Sequence, residues 1–392
     1  MNITDFNFPP FLQSVLERNK ITTFTDVQLK AIPLLLEGTP AIIALAPTGS
    51  GKTLAYLLPL LVHLDKDPAS KVLIVLPTRD LAIQVSKVVK EYLPRAHTST
   101  LLIGGTPLSM DFKTLARNPQ IIIGTPGRVV HHIQALKKLN IKYLVLDEVD
   151  RLLDVGFKKQ YDILMDTYPS SNKIFFSATL SAQLNQKISK SSLNPVIVNV
   201  CNTEHVKTNI TEEFRNVQES QKFKILKETL PQYASTVIFV NSKFKSRQIA
   251  EKLQKEGVAA ISYTSNCTVN KRRKLLEDFT KGQITCMVAT DIAARGIDFK
   301  DLNLVVNYDV PFVPSDYVHR IGRTGRASGL GNALTLVSRS QQKYAKNINN
   351  FRSTNTQVIQ RPPSRARSFP RNSSRDGSRS NSYRSSRPFK RF

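Results

Sequence analysis

The chain has 392 residues, 41% of them hydrophobic, enough for about two globular domains with ordinary cores. Its 56 Lys and Arg against 30 Asp and Glu leave a formal net charge of +26, so the expected partner is a polyanion, either nucleic acid or an anionic membrane surface. No apolar run reaches the roughly eighteen residues of a spanning helix, which sets the membrane aside. The odd, widely spaced Cys201, Cys267 and Cys286 exclude a disulfide framework and a metal-ligand pattern.

The first residues, MNITDFNF, place no basic segment before an apolar one and do not read as a signal peptide. With the cysteine usage, this suits a reducing compartment, the cytoplasm. Short β-branched runs then alternate with helical patterns. Strands are expected at 41–45, 71–76, 99–103, 121–124, 142–146, 173–177 and 196–200. Residues 199–213 are polar and without a clear period, which places an inter-domain linker there. A second set of strands is expected at 236–240, 259–263, 286–290, 302–307 and 333–337. Continuous apolar strands, rather than alternating ones, imply buried parallel sheets with helices on both faces, an α/β architecture. The division expected is a first domain over 1–202, a linker over 203–212, a second domain over 213–345 and a tail over 346–392. Residues 352–392 hold eleven Lys or Arg and one acid, Asp376, and are rich in Ser and Pro. Such a segment cannot bury enough apolar surface to fold alone. The rest of the chain keeps +16 of the total +26.

The most specific chemical signal is APTGSGKT, residues 46–53, between a strand and a helix that begins near Lys52. In such a loop the backbone N–H groups of Gly49, Ser50, Gly51 and Lys52 can point at phosphate oxygens, and the helix N-terminus adds positive potential. Lys52 is expected to reach the β and γ phosphates of ATP, and the Thr53 hydroxyl to bind Mg²⁺. Ala46 stands where the general pattern has Gly, one residue short of a full match. About ninety-five residues later, LDEVD puts Asp147 at the end of another apolar run. An acid there can hold Mg²⁺, partly through water, and Glu148 can orient and deprotonate the attacking water.

With these residues in place, the sequence resembles the DEAD-box RNA helicases, superfamily 2 ATPases with two tandem RecA-like domains. The resemblance covers residues 1 to about 345. It is carried by APTGSGKT (46–53), PTRDL (77–81), GG (104–105), TPGR (125–128), DEVD (147–150), SAT (177–179), ATDIAARGID (289–298) and YVHRIGRTGRA (317–327). DYVHRIGRTGRASG and the basic tail look most like the bacterial RhlE-type branch. The resemblance implies that Ala46, Thr48 and the loop residues bind ATP, that Gln28 reads the adenine edge, and that Asp298 holds the ribose, with Gly296 allowing close approach. It implies that Ser177 and Thr179 hydrogen-bond Asp150 and couple ATP to RNA, and that His319 and Arg320 share that closed interface. Arg323 and Arg326 are then arginine fingers on the γ-phosphate. RNA contacts fall to Thr78, Arg79, Gly105, Thr125 and Arg128 in the first domain and to Asn241, Arg272 and Thr290 in the second. These are backbone contacts, so RNA is expected to be bound mostly without regard to sequence, as a single strand or short duplex. Ribosome assembly or RNA turnover is the implied setting, with ribosomal or RNA-degradation proteins as partners.

Several positions depart from the family pattern. Ile3, Lys20-Ile21 and Phe24 stand where the adenine-reading segment usually has an aromatic residue, a Gly-aromatic pair and a Pro, and Phe6 is a candidate substitute for stacking. Val269 replaces a frequent Gln, and Val149 replaces Ala inside DEVD, adding two methyl groups at a buried spot. His131 and His132 lack a metal pattern and are expected at the surface. His63 and Tyr56 are expected to pack within or beside a helix. The rival readings are an RNA clamp with little turnover and a DNA-directed helicase.

Overall fold

The computed structural model describes residues 6–47, 49–154, 156–180, 184–187, 194–201, 210–264, 269–294, 302–325 and 330–358. Within them are two parallel sheets. The first is built from β1 (Ala41–Leu45), β2 (Lys71–Val75), β3 (Ser99–Leu102), β4 (Ile121–Gly124), β5 (Ile141–Leu146), β6 (Asn172–Ser177) and β7 (Val196–Asn199). Their order across the sheet is β3-β4-β2-β5-β6-β1-β7. The second comprises β8 (Ile210–Asn216), β9 (Thr236–Phe239), β10 (Ala260–Tyr263), β11 (Cys286–Ala289), β12 (Leu304–Asn307) and β13 (Gly331–Val337), in the order β10-β11-β9-β12-β13-β8.

The strands are apolar on both faces because each sheet separates two cores. Ile42, Ala44, Val72, Ile74, Val145 and Ile174 belong to one core, and Ile43, Leu45, Leu73, Val75, Leu144 and Leu146 to the other. The second sheet repeats the arrangement, with Ile238, Val288 and Val306 on one side and Val237, Met287 and Val305 on the other. This is the expected pair of α/β domains.

Sheet order positions the motifs. The loop 46–53 follows β1, SAT ends β6 and DEVD follows β5, and β5-β6-β1 are adjacent. Neighbouring strands lie about 4.8 Å apart, so three motifs distant in sequence meet at one carboxyl edge. In the second sheet the adjacent strands β11-β9-β12 bring Thr290, Asn241 and Asp309, one or two residues past their ends, to one edge in the same way.

Two boundaries differ from expectation. Strand β8 begins at Ile210, inside the expected linker, and pairs with β13 along its whole length. It was illegible because it is a polar edge strand, ITEEFRN, with no residue fully buried. At the other end, residues 346–358 are not tail: the helix Gln342–Val358 runs through them and buries Ala345 and Ile348 beside Val310 and Tyr317. The remainder of the expected tail, 359–392, lies outside the described residues, as do 202–209 of the linker and Ile3.

Two sequence departures now have a structural reading. Val149 is fully buried among Leu146, Leu152 and Leu153, so the extra methyl groups fill core space. Lys20 follows the helix Pro10–Arg18 with φ +54°. Its N–H donates to Glu17 O at 2.9 Å and that of Ile21 to Leu16 O at 3.0 Å, a Schellman closure. That left-handed position is the reason a Gly is usual there. Lys20→Gly is expected to raise stability by about 1 kcal/mol, read as a higher denaturant midpoint at unchanged slope. A lower midpoint would show that the Lys20 side chain stabilises more than its backbone strain costs.

Candidate active site

The loop after β1 is held from behind. Ala46 N–H donates to Ser177 O at 2.9 Å, tying its start to β6. Gly49 and Gly51 take φ of +80° and +84°, and a Cβ on Gly51 would lie 2.4 Å from Gln28 Nε2. Gln28 is buried, donates to Gly51 O at 3.0 Å and accepts from Thr25 N–H at 2.9 Å. Thr25 Oγ1 donates to Ser50 O at 2.7 Å. Gln28 therefore caps its own helix and clamps the loop. The expected adenine reader has a structural task that sequence did not show. Lys52 curls into the loop, donating to Ala46 O at 3.0 Å and Pro47 O at 3.3 Å. Phe6 stacks on Phe8 at 5.7 Å and meets Phe24 edge-on at 5.3 Å, an aromatic cluster beside this clamp. Thr48 lies outside the described residues.

The three acids of DEVD stand in three environments. Asp147 N–H continues the ladder to Val75 O at 3.1 Å. Its Oδ1 accepts from Glu148 N–H at 2.9 Å and its Oδ2 from Tyr56 Oη at 3.2 Å. Burial pushes the Asp147 carboxyl up to about 6, against the pull of Lys52. Glu148 takes φ +50°, a left-handed turn that costs a non-glycine residue about 1–3 kcal/mol. Tyr56 was expected only to pack. Its hydroxyl instead donates to Asp147, and burial, then Asp147, push it well above its ordinary value. Thr53 and Asp147 are hard oxygen donors on facing elements. Among the described residues no three His, Cys, Asp or Glu gather into a metal cage. One carboxylate and one hydroxyl beside a phosphate-binding loop suit Mg²⁺, which keeps waters and takes further oxygens from phosphates.

Asp150 is fully buried. Its Oδ2 accepts from Thr179 Oγ1 at 2.8 Å and from His319 Nε2 at 3.3 Å, and its Oδ1 from Arg151 N–H at 2.9 Å. Burial works to raise this carboxyl, but His319 and Arg151 outweigh it and hold Asp150 well below the usual carboxylate range. Burial, then Arg151, lowers His319. Ser177, expected to share Asp150, does not. Its hydroxyl donates to Thr179 O at 2.7 Å and closes its own turn, the local alternative open to serine.

His319 belongs to the second domain, so this contact crosses the cleft. Arg151 also crosses it to pair with Asp316. Glu148 and Arg151 face Phe239, Asp291, His319 and Arg323 around one cavity. Arg323, an expected finger, thus lies opposite Glu148. Arg320 borders the cavity but couples nothing across it. Its guanidinium forks onto Asp291 at 2.6 and 2.7 Å and donates to Asn307, Asp309 and Asn241, all in its own domain. A buried guanidinium must satisfy all five donors, and the second domain supplies them. Arg326, Gly296 and Asp298 lie outside the described residues.

A second recess gathers Thr78, Arg79, Thr125 and Arg128 from the first domain and Arg272 from the second. Arg79 lies over Gly104 and Gly105, where a Cβ on Gly105, at φ +94°, would meet it at 2.9 Å. Thr78 Oγ1 caps the helix Arg79–Tyr92 by accepting from Leu81 N–H at 3.4 Å. Arg128 is pinned to Asp111 Oδ2 at 2.5 Å, and His132 Nε2 sits 2.9 Å from the same oxygen. His132 is therefore buried rather than at the surface, drawn in by a carboxylate on a neighbouring helix, while His131 is exposed as expected. Arg272 pairs with Asp80 at 2.9 Å across the cleft and donates to Tyr263 Oη at 3.1 Å. Asn241 and Thr290 do not line this recess. Asn241 donates to Val310 O at 3.0 Å and accepts from Arg320, whereas the buried Thr290 hydroxyl makes no hydrogen bond among the described residues.

Comparison with known proteins follows this geometry. Residues 25–187 match the DEAD/DEAH box helicase family and residues 221–328 the helicase conserved C-terminal domain. The DEAD-box ATP-dependent RNA helicase CshA of Bacillus subtilis is 35% identical over 359 residues, covering 89% of this chain and 72% of that protein. DEAD-box ATP-dependent RNA helicase 30 of Arabidopsis thaliana is 35% identical over 360 residues, 88% of this chain. The chain spans 60% of that relative's length. The structure of S. cerevisiae Dbp5 bound to RNA and ADP BeF3 superposes with a TM-score of 0.75 at 29% identity, over 89% of this chain and 92% of that one.

The Asp150 environment makes a pH prediction. Its folded-state value lies below the unfolded one, so the carboxylate contributes stability above about pH 4 and loses it as pH falls toward the folded value. Asp150→Asn is expected to lower the denaturant midpoint by an amount that is constant from pH 8 to 5 and narrows below about pH 4. A gap already closed at pH 6 would show that the carboxylate is not held in its charged form.

Proposed function

The chain belongs to the DEAD-box helicase family, and from that premise we propose that it is an ATP-dependent RNA helicase, with ATP hydrolysis in the inter-domain cleft coupled to RNA binding and local strand separation. The observation that carries this is the pairing of Glu148 with Arg323 around one cavity, one from each domain, beside the Asp150–His319 contact that joins the domains.

The residues divide the work as follows. The backbone of residues 49–52 and the Lys52 ammonium receive the phosphates, Lys52 exchanging its loop carbonyls for phosphate oxygens. Thr53 and Asp147 would hold Mg²⁺, which when bound would supply neutralisation of the phosphate charge. Glu148 orients a water and takes its proton. Arg323 stabilises charge developing on the transferred group, and because it comes from the second domain, hydrolysis requires the closed cleft. RNA lies along the recess of Thr78, Arg79, Thr125 and Arg128, with Gly105 keeping the surface open beneath Arg79. Asp80, next to Arg79, holds Arg272, so RNA seated there reports on domain closure. Contacts of this kind go to the sugar-phosphate backbone and give little sequence selectivity.

The finer setting follows from the resemblance: cytoplasmic action in ribosome assembly or RNA turnover, with ribosomal or RNA-degradation proteins as partners. Relatives named CshA and plant helicases do not favour the RhlE-type branch that residues 316–329 resemble, and the proposal is made at the level of the family.

The test is RNA-stimulated ATP hydrolysis by the purified chain, with DNA of equal length as the comparison. Glu148→Gln is expected to lower kcat by about 10²–10⁴-fold while ATP-dependent RNA binding persists. Arg323→Ala is expected to lower kcat by about 10³-fold or more. Equal rates in Lys52→Ala and parent protein would remove the enzyme reading, and stimulation by DNA equal to that by RNA would remove the RNA assignment.

A further inference from the structure

Tyr56 is wholly buried in the helix Lys52–Lys66, its ring edge-on to Phe176 with centroids 5.2 Å apart. Packing alone would be served as well by phenylalanine. The hydroxyl, however, donates to Asp147 Oδ2 at 3.2 Å. Asp147 is one of the two side chains that the proposed reading assigns to the divalent cation.

A carboxylate only accepts, so the Tyr56 proton is directed at Asp147. Asp147 is gripped from two sides, by Tyr56 at Oδ2 and by Glu148 N–H at Oδ1, at 2.9 Å. Each oxygen keeps a lone pair while the carboxylate plane is fixed.

We propose that Tyr56 is a positioning residue for the divalent cation, fixing the Asp147 carboxylate through the hydrogen bond of its hydroxyl. It does not touch the cation, the nucleotide or the attacking water. The inference deepens the ATPase reading and rests on it. Outer partners that orient metal ligands change metal affinity by about 10–100-fold when removed.

Tyr56→Phe keeps the ring and deletes the hydrogen bond to Asp147. The measurement is Mn²⁺ affinity of the ADP-loaded protein by electron paramagnetic resonance, beside the affinity for ADP in EDTA. Tyr56→Phe is expected to weaken Mn²⁺ binding about 10-fold and to leave metal-free ADP affinity unchanged. ATP hydrolysis should then need correspondingly more Mg²⁺ and recover at excess. Equal Mn²⁺ affinity in Tyr56→Phe and parent overturns the proposal, and so does a parallel loss of metal-free ADP binding, which would mark Tyr56 as a packing residue. A parent protein that binds Mn²⁺ no better with ADP than without it fails the ATPase reading itself, and the proposal with it.

Discussion

The carboxylate of Asp150 is the charge that the two domains are arranged around. It is fully buried, and an ionised group out of water is tolerated only if donors surround it. Its own helix supplies one, Arg151 N–H, and the turn after β6 supplies another, Thr179. The third, His319, comes from the second domain. Stripping one partner from a buried pair costs about 3–5 kcal/mol when the charge stays buried. Separation of the domains must therefore hydrate Asp150, and Arg151 with it, since its partner Asp316 also leaves. This charge can be satisfied in two ways, by His319 across the cleft or by water once the domains part.

The contrast with Asp147, three residues away, shows how environment divides identical groups. Burial pushes Asp147 up against the opposing pull of Lys52 and the Tyr56 hydroxyl, whereas at Asp150 His319 and Arg151 outweigh burial and hold the carboxyl down. Paired acids with opposed shifts are a mark of distinct roles. Asp147 suits a cation that offsets its burial, whereas Asp150 is satisfied by the protein itself. Between them Glu148 adopts a left-handed backbone and lines the inter-domain cavity. Val149, wholly buried, anchors that turn in the core, so the size of this residue bears on the position of all three acids.

The strands were legible because parallel strands buried on both faces are apolar throughout, a pattern few other elements share. The motif loops were legible because their glycines and acids sit where strands end. Strand β8 was not, since an edge strand of alternating polarity reads like a linker. Side-chain partners were the other blind spot. Sequence places Ser177 and Thr179 together, but which hydroxyl reaches Asp150 depends on the turn between them. It shows four basic residues in HRIGRTGR, but not that Arg320 is consumed by Asp291, Asn307 and Asn241. Tyr56 and His132 look like core and surface residues respectively until Asp147 and Asp111 appear beside them.

Those acids also bear on how RNA would be held. In the recess between the domains, Arg128 faces Asp111 and Arg272 faces Asp80, so two of its cations are already neutralised within the protein. A phosphate arriving there gains less from them than from free guanidinium groups, and the salt dependence set by counterion release is correspondingly shallow. What these pairs supply is geometry: Arg128 is fixed in direction by Asp111, and Arg272, held within its own domain by Tyr263 and Ala293, meets Asp80 across the cleft. Residues 352–392 hold eleven basic side chains against one acid. In the proposed reading, affinity and its salt sensitivity are therefore drawn chiefly from charge outside the recess. The recess itself converts contact with a backbone into closure of the cleft around Asp150.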